Sequence, residues 1–196
     1  MNPKAIKGLV LAGGRSRRMG SDKALMIRDG KSQLERAVEL LQKYLSEVFV
    51  SARADQSSDS ERSQYPLVID QYEGIGPIAG VLSAMDEDPL SSWLVLACDL
   101  PNIDGETIAK LLEFHSGQHP FIAYKSSHDG LPEPLCAVFT PASRPIIDGF
   151  ITDGMVCPRK MLIRSNTLLL EQPNPAALDN MNTPDDLIGT GVRIAR

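Results

Sequence analysis

A glycine-rich segment near the beginning of the chain carries the residues best suited to chemistry. Residues 11–25 read LAGGRSRRMGSDKAL and continue an apolar run. Its adjacent glycines would let the backbone approach a polyphosphate closely and aim several N–H groups at it. Arg15, Arg18 and Lys23 add cationic donors that suit triphosphate oxygens. The segment predicts a phosphate-binding loop, although in isolation an ordinary turn with solvated basic side chains explains it equally well.

Two aspartates lie where predicted strands end. Asp99 follows the apolar run WLVLAC at 93–98, and Asp70 follows the short run LVI at 67–69. A carboxylate beside a phosphate loop suits Mg²⁺, which usually takes one or two carboxylates together with phosphate oxygens and water. Taken alone, each aspartate is explained better as a cap on the following turn. Asp99 is therefore a candidate metal ligand whose role depends on its neighbours.

Two further segments could contribute to a site. Residues 74–77 (GIGP) precede a predicted helix and could leave room for a base or a phosphate, although turn chemistry alone accounts for them. Thr183 and Pro184 are typical of a helix start, as N-cap and first helical residue. That assignment leaves Asn180 and Asn182 as polar side chains that could face a site.

Strand and helix patterns alternate along the first two-thirds of the chain. Short apolar runs predict strands, and apolar residues spaced three and four apart predict helices. The polar residues 53–64 predict a surface loop or short helix, whereas 161–163 and 167–170 are too short to assign. The predicted strands are 5–12, 47–52, 67–69, 93–98, 121–124 and 135–139. The predicted helices are 32–45, 78–85, 107–114, 141–150 and a closing helix at 185–188.

This alternation predicts an α/β fold with a mostly parallel central sheet and helices on both of its faces. The crossover connections should be right-handed. We expect one domain over residues 1–196, since no linker or repeat interrupts the pattern. Ligands of such folds bind beyond the carboxyl ends of the strands. The pair Gly13-Gly14, Asp70 and Asp99 all fall at those ends.

Composition excludes several classes of protein. With 196 residues, 42% hydrophobic and 23% charged, the chain resembles a globular domain large enough to bury a core. A net charge of −5 and the absence of a Lys/Arg run argue against a protein that binds nucleic acid. Cys98, Cys136 and Cys157 are too scattered for a disulfide framework or a zinc site. The sequence shows no secretory signal core and no membrane-spanning run, so we expect a cytoplasmic protein.

Several segments together resemble one family. The loop at 11–25 is similar to that of nucleotidyltransferases with a Rossmann-like fold, above all the molybdenum cofactor guanylyltransferases, whose loop reads L-A-G-G-x-S-x-R-M-G-x-D-K. Further stretches occur in the family's order, so the resemblance covers nearly the whole chain. These stretches are GPIAG at 76–80, CDLP at 98–101, EPL at 133–135 and NTPDDL at 182–187.

The resemblance implies a fold, a reaction and a metal ion. The fold would be a Rossmann-like three-layer α/β/α sandwich of the nucleotide-diphospho-sugar transferase type. The reaction would transfer GMP from GTP to the phosphate of molybdopterin bearing molybdenum, giving molybdopterin guanine dinucleotide and pyrophosphate. Mg²⁺ would be the cofactor. Contact with other proteins of the molybdenum cofactor pathway and with apo-molybdoenzymes would also be expected.

The resemblance also implies roles for single residues. Arg18, Lys23 and Asp99 would be catalytic, with Asp99 as the Mg²⁺ ligand. Ser51 falls where some relatives carry asparagine, which weakens the comparison there, and residues 148–160 match too poorly for pterin-facing residues to be assigned. The nucleotide would be held by Leu11, Ala12, Gly13, Gly14, Lys23, Ser51, Asp70 and Asp99.

Two alternatives stay open from the sequence. A molybdopterin cytidylyltransferase, or an enzyme acting on a sugar or polyol phosphate, would share the loop and differ in the base that it selects. A non-catalytic nucleotide-binding scaffold for molybdoenzyme assembly would be indicated by loss of Lys23 or Asp99. Both residues are present, which favours an enzyme.

Overall fold

A central sheet organises the molecule. The structure is a computed structural model that describes residues 5–14 and 19–194. Within these residues, a seven-stranded sheet has the strand order β5-β4-β1-β6-β8-β7-β9, and β2 and β3 form a separate hairpin. The strands are β1 Ile6–Leu11, β2 Ile27–Arg28, β3 Lys31–Ser32, β4 Val48–Ala52, β5 Leu67–Ile69, β6 Ser92–Ala97, β7 Phe121–Lys125, β8 Pro132–Phe139 and β9 Thr167–Leu170.

Helices connect these strands. Local sequence fixes where two of them begin: Ser32 accepts a hydrogen bond from the Glu35 N–H at 3.0 Å, and Asp104 accepts one from the Thr107 N–H at 2.9 Å. Such caps satisfy amide groups that a helix cannot pair internally. The α-helices are α1 Gln33–Gln42, α2 Ile78–Glu87, α3 Gly105–Glu113, α4 Arg144–Thr152 and α5 Pro158–Ile163.

The predicted mostly parallel sheet is confirmed. Among the described strands of the central sheet, β8 alone runs opposite to the others, because it pairs antiparallel with both β6 and β7. The two segments that were too short to assign become α5 and β9, and β9 pairs parallel with β7. The closing helix, predicted at 185–188, is a single 3-10 turn over Pro184–Leu187.

Apolar side chains pack on both faces of the sheet. Strand β6 is buried along its whole length, with Leu94 and Leu96 facing one core and Trp93 and Val95 facing the other. This explains its nearly continuous apolar sequence, which is typical of a strand covered on both sides. No helix in residues 5–14 and 19–194 has the length and apolarity needed to cross a bilayer.

Strand register brings the predicted functional residues to one edge. Leu11 of β1 lies beside Ser51 of β4 and Ala97 of β6, and Ser51 lies beside Val68 of β5. Residues two positions beyond each of these partners therefore meet at the carboxyl edge of the sheet. These residues are Gly13, Arg53, Asp70 and Asp99. They include every aspartate that the sequence proposed for the site.

The order in which strands are added to the sheet also reverses at β1. After β1 the chain continues to β4 and β5 on one side, and it then returns to place β6 on the other side of β1. Connections that leave neighbouring strands in opposite directions open a crevice, which is where open α/β sheets bind ligands. The glycine loop after β1 and Asp99 after β6 border this crevice.

Candidate functional site

A cleft of about 1000 Å³ lies at the switch point between β1 and β6. The structure brings together the predicted nucleotide-binding residues, because every one of them lines this cleft. They are Leu11, Ala12, Gly13, Gly14, Lys23, Ser51, Asp70 and Asp99. Arg15 and Arg18, which the sequence also proposed, lie outside the described residues.

Lys23 and Asp99 meet across the cleft. The Lys23 ammonium donates to Asp99 Oδ2 at 2.9 Å and to Asn182 Oδ1 at 2.9 Å. The side chains of Lys23 and Asp99 are each 15% exposed, so this charge pair is shielded from bulk water. Asn182 was singled out as a side chain that could face a site, and the structure places it beside the predicted catalytic lysine.

Asp99 has the oxygen that a magnesium ion would need. Its Oδ1 atom is buried and has no hydrogen-bond partner among the described residues. A buried carboxylate oxygen without a partner is costly, so it indicates a ligand that is absent from the structure. The described residues contain no group of three or more acidic, histidine or cysteine side chains that could hold a metal ion. Because Mg²⁺ often relies on one carboxylate and takes its other ligands from phosphates and water, Asp99 fits that ion.

Asp70 and Ser51 form a second polar pair in the cleft. The Ser51 hydroxyl donates to Asp70 Oδ1 at 2.7 Å, and the Asp70 N–H donates to the Ala52 carbonyl at 2.9 Å. Burial raises the pKa of the Asp70 carboxyl, while the Ser51 hydrogen bond and the charge of Arg53 oppose that rise. Asp70 is thus a fixed acceptor in a poorly hydrated position, which suits recognition of N–H donors.

Glycines allow close approach around these polar groups. A Cβ atom on Gly80 of α2 would lie 2.2 Å from Ser51 Oγ and 3.0 Å from Leu11 Cδ2. Helix α2 therefore packs against β1 and β4 at a distance that glycine alone permits. Gly74 and Gly76, in the turn before this helix, have φ angles of 76° and 66°, which L side chains rarely adopt. The segment 74–80 owes its glycines to this geometry.

Arg53 and Arg62 contact the glycine loop and were missed from the sequence. Arg62 is 1% exposed and donates to the Ala12 carbonyl at 2.8 and 3.2 Å, while Arg53 donates to the Gly13 carbonyl. The prediction of a surface loop or short helix for residues 53–64 is confirmed by two 3-10 turns, Ala54–Gln56 and Arg62–Gln64, and by exposed serines, but it is wrong for Arg62 as a surface residue. A buried charge in a polar, serine-rich segment carries no local sequence signal.

Cys98 also lines the cleft, as a buried thiol. Burial raises its pKa far above the ordinary value. Since the thiolate is the reactive form of cysteine, a buried thiol at this position is not expected to act as a nucleophile.

A second cleft of about 720 Å³ adjoins the first, and Asn182 lies at their common border. Strand β8 spans both clefts, with Glu133 in the second and Leu135 in the first. Arg159 enters the second cleft from α5 and contacts Asp129 at 3.0 Å and Glu133 at 3.4 Å. Arg159 belongs to the segment 148–160, for which the sequence offered no assignment.

A glycine-rich loop at the point where the strand order reverses is typical of nucleotide-binding α/β domains. A sequence model of the MobA-like NTP transferase domain matches residues 8–167, and the chain belongs to this family.

Named relatives extend over most of the chain. It is 29% identical over 194 residues to a molybdenum cofactor guanylyltransferase of Shewanella halifaxensis. That match covers 97% of this chain and 96% of the relative. It is 35% identical over 181 residues to a molybdenum cofactor biosynthesis bifunctional protein of Synechocystis. That match covers 92% of this chain but 52% of the relative, so the chain spans about half of the bifunctional protein.

A solved structure shows the same fold. The crystal structure of molybdopterin-guanine dinucleotide biosynthesis protein A from Archaeoglobus fulgidus matches with a TM-score of 0.75 and 25% identity. The match covers 94% of this chain and 96% of that one. The Rossmann-like α/β/α fold predicted from the sequence is therefore confirmed.

Proposed function

We propose that this protein transfers GMP from GTP to the phosphate of molybdopterin, producing molybdopterin guanine dinucleotide and pyrophosphate. The observation that carries the proposal is the meeting of Lys23 and Asp99 beside the glycine loop, at 2.9 Å, within the switch-point cleft. The family and the guanylyltransferase names of its relatives support the choice of reaction. The cytoplasm is the expected place of action.

The cleft offers a separate part for each portion of the nucleotide. Guanine and ribose would lie against Leu11, Ala12 and Gly13, where the partly buried Asp70 would accept from the N–H groups of guanine. The amides of Gly13 and Gly14 would receive the phosphates, since glycine backbone N–H groups form favourable anion sites. Ser51 would act through Asp70, whose carboxylate it holds at 2.7 Å.

The chemistry needs positioning and charge neutralisation more than proton removal. An oxygen of the molybdopterin phosphate, already an anion at neutral pH, forms a bond to the α-phosphorus of GTP. The bond from that phosphorus to the bridging oxygen breaks, and pyrophosphate departs with the electron pair. Lys23, together with Arg18 in the same loop, would offset the charge on the departing group.

Asp99 would hold Mg²⁺ through its buried Oδ1 atom. When bound, the ion would supply positive charge to the phosphate oxygens. Lys23 contacts the other oxygen of the same carboxylate, which keeps the aspartate oriented towards the cleft.

The second cleft is the natural entry for the acceptor. It is separated from the first by Asn182, whose side chain contacts Lys23 at 2.9 Å. Arg159 provides a cation there, and carboxylates and amides provide partners for a polar ring system. An acceptor entering by this route would present its phosphate at Lys23, on the side opposite the guanine.

Pyrophosphate release tests the proposal directly. The protein, given GTP, Mg²⁺ and molybdopterin, should release pyrophosphate, and Lys23→Ala should reduce the rate by a factor of about 100 or more while leaving the melting temperature similar. Lys110→Ala is the matched control, since Lys110 lies on α3 and contacts the Glu171 carbonyl away from the cleft. Full activity in Lys23→Ala would contradict the proposed catalytic role.

Base selection separates the proposal from a cytidylyltransferase. Binding of GTP and CTP should be compared by calorimetry in the presence of Mg²⁺. We expect GTP to bind at least about tenfold more tightly, because Asp70 can accept from two N–H groups of guanine. A clear preference for CTP would overturn the guanylyl assignment. A scaffold protein would bind GTP but release no pyrophosphate, and contact with apo-molybdoenzymes would then be its main activity.

A further inference from the structure

We propose that Arg53 and Arg62 are positioning residues that grip two successive carbonyl groups and thereby aim the loop amides at the triphosphate. The carbonyls are those of Ala12 and Gly13, the first residues beyond β1. This arginine clamp, defined as Arg53 and Arg62, rests on the proposed function, because it assigns a purpose to the same cleft. Both arginines come from the connection between β4 and β5.

Arg62 forms the inner half of the clamp. Its guanidinium donates to the Ala12 carbonyl from Nε at 3.2 Å and from Nη2 at 2.8 Å, and it also donates to Asp22 Oδ2 at 2.7 Å. Asp59 balances its charge from the other side at 3.2 Å. With 1% exposure, Arg62 cannot touch a ligand in the cleft, so any effect on binding must pass through the loop.

Arg53 forms the outer half of the clamp. Its Nη1 group donates to the Gly13 carbonyl, and its Nε and Nη2 groups form a bidentate pair with Asp55 at 2.9 and 3.0 Å. The bidentate pair fixes the plane of the guanidinium, which limits the directions in which Arg53 can hold the carbonyl. Unlike Arg62, Arg53 lines the cleft.

The planar peptide unit links each held carbonyl to the N–H group of the next residue. The carbonyl of one residue and the N–H of the next belong to one planar trans unit and point in opposite directions. Holding the Ala12 carbonyl therefore fixes the direction of the Gly13 N–H, and holding the Gly13 carbonyl does the same for the Gly14 N–H. Neither N–H has a hydrogen-bond acceptor among the described residues, although both glycines line the cleft. Two oriented donors without acceptors indicate an anionic ligand.

Arg62 also ties together the two ends of the glycine loop. Asp22 accepts from Arg62 through Oδ2 and from the Ala24 N–H through Oδ1 at 3.1 Å. This second contact caps the 3-10 turn Lys23–Leu25, which carries the predicted catalytic lysine. One guanidinium thus sets both the loop amides and the turn that presents Lys23.

Comparing GTP with guanosine separates this role from plain structural support. The clamp orients the backbone N–H groups that would contact the phosphates, so its loss should weaken binding of GTP and leave binding of guanosine unchanged. General loosening of the fold would weaken both ligands. Arg62→Lys retains the charge but loses the fork that reaches the Ala12 carbonyl and Asp22 together. Arg53→Gln removes the outer grip at a partly exposed position, where the fold tolerates change better.

The experiment is calorimetric titration of both ligands into wild type, Arg62→Lys, Arg53→Gln and the control Asp59→Asn. Each arginine variant should bind GTP about tenfold more weakly, as expected for the loss of charge-assisted hydrogen bonds, with guanosine affinity within about twofold of wild type. Asp59→Asn changes a partner of Arg62 that does not touch the loop, so its ratio of GTP to guanosine affinity should match wild type.

The outcomes distinguish the clamp from the proposed function. Unchanged GTP affinity in Arg53→Gln, or parallel losses for both ligands in both arginine variants, overturns the clamp while leaving the proposed function in place. If Arg62→Lys fails to fold, Arg62→Gln takes its place, because Arg62 does not line the cleft and any change in GTP affinity must pass through the loop. A wild-type protein that binds GTP no more tightly than guanosine overturns both proposals.

Discussion

The two clefts differ in what lines them. Many residues that border the switch-point cleft are small, among them Gly13 and Gly14 after β1 and Gly80 of α2. The second cleft is bordered by polar side chains from loops, β8 and α5, and its Arg159 is paired with Asp129 and Glu133. The first is therefore shaped by the fold itself, and the second is shaped by local side-chain choice.

This difference has a functional consequence. The ribose and triphosphate groups are common to all ribonucleoside triphosphates, so a cleft made by strand register and glycine packing could receive them without change. Under the proposed function the acceptor would bind in the second cleft, whose side chains can be altered without disturbing the sheet. Variants in the first cleft should therefore affect every substrate, whereas variants in the second should affect the acceptor alone.

The largest effect is expected from Asp99→Asn. The amide retains the shape of the side chain but loses the charge that would hold Mg²⁺, so turnover should fall by a factor of roughly 100 to 1000. The equivalent change in the second cleft, Asp179→Asn, removes a carboxylate that contacts His128 at 2.9 Å. It should leave GTP affinity unchanged. The rate of pyrophosphate release should fall far more in Asp99→Asn than in Asp179→Asn. Equal losses of rate in the two variants would contradict the division between the clefts.

Gly80→Ala should have the next largest effect. Its methyl group would lie 2.2 Å from Ser51 Oγ, so α2 or β4 must shift, at a cost of about 1–3 kcal/mol in the free energy of unfolding. GTP affinity should fall with it, because Ser51 holds Asp70. Gly149→Ala in α4 is the matched control, since nothing lies within 4 Å of the added atom. Denaturant unfolding should show the control to be as stable as wild type or more stable.

The sequence predicted the first cleft far better than the second. Gly13, Lys23 and Asp99 were proposed because each stands in a local motif, and regular strands bring such motifs to one edge. Arg62 could not be found in this way, since its contacts with Ala12 and Asp22 join residues 50 and 40 positions apart. Such a contact depends on the path of the whole β4–β5 connection.

Local patterns also failed where elements are short or irregular. Thr167–Leu170 has four residues, and its role as the edge strand β9 depends on pairing with β7 rather than on its own propensity. The reversed direction of β8 follows from the short turn over residues 126–131 after β7, because a parallel strand would need a longer crossover. The second cleft is lined mainly by turns and irregular segments, such as residues 126–129 and 178–182, which explains why its residues could not be assigned from the sequence.

Arg159→Gln should sharpen the comparison from the side of the second cleft. Loss of the cation should raise the KM for molybdopterin by about tenfold, because charge-assisted hydrogen bonds to the acceptor are removed. The KM for GTP should remain within about twofold of wild type. Steady-state kinetics with each substrate varied in turn will show the split. A raised KM for GTP with an unchanged KM for the acceptor would indicate that the nucleotide binds in the second cleft, contrary to the proposal.

The smallest effect is expected from Asp70→Asn, as a dependence of stability on pH. Burial raises the folded-state pKa of the Asp70 carboxyl. The contribution of Asp70 to the free energy of unfolding is therefore most favourable below the ordinary pKa and declines as pH rises through the folded-state pKa. The asparagine variant has no charge to desolvate. Its melting temperature should therefore match wild type at low pH and exceed it near neutrality, whereas GTP affinity should fall. A variant that loses stability as pH rises would contradict this account of Asp70.

A structure of the protein with GTP and Mg²⁺ tests the central claim most directly. The account predicts guanine against Leu11 and Ala12, phosphates at the Gly13 and Gly14 amides, and the metal ion on Asp99. A triphosphate lodged in the second cleft beside Arg159, with Asp99 still held by Lys23 and carrying no metal, would contradict it.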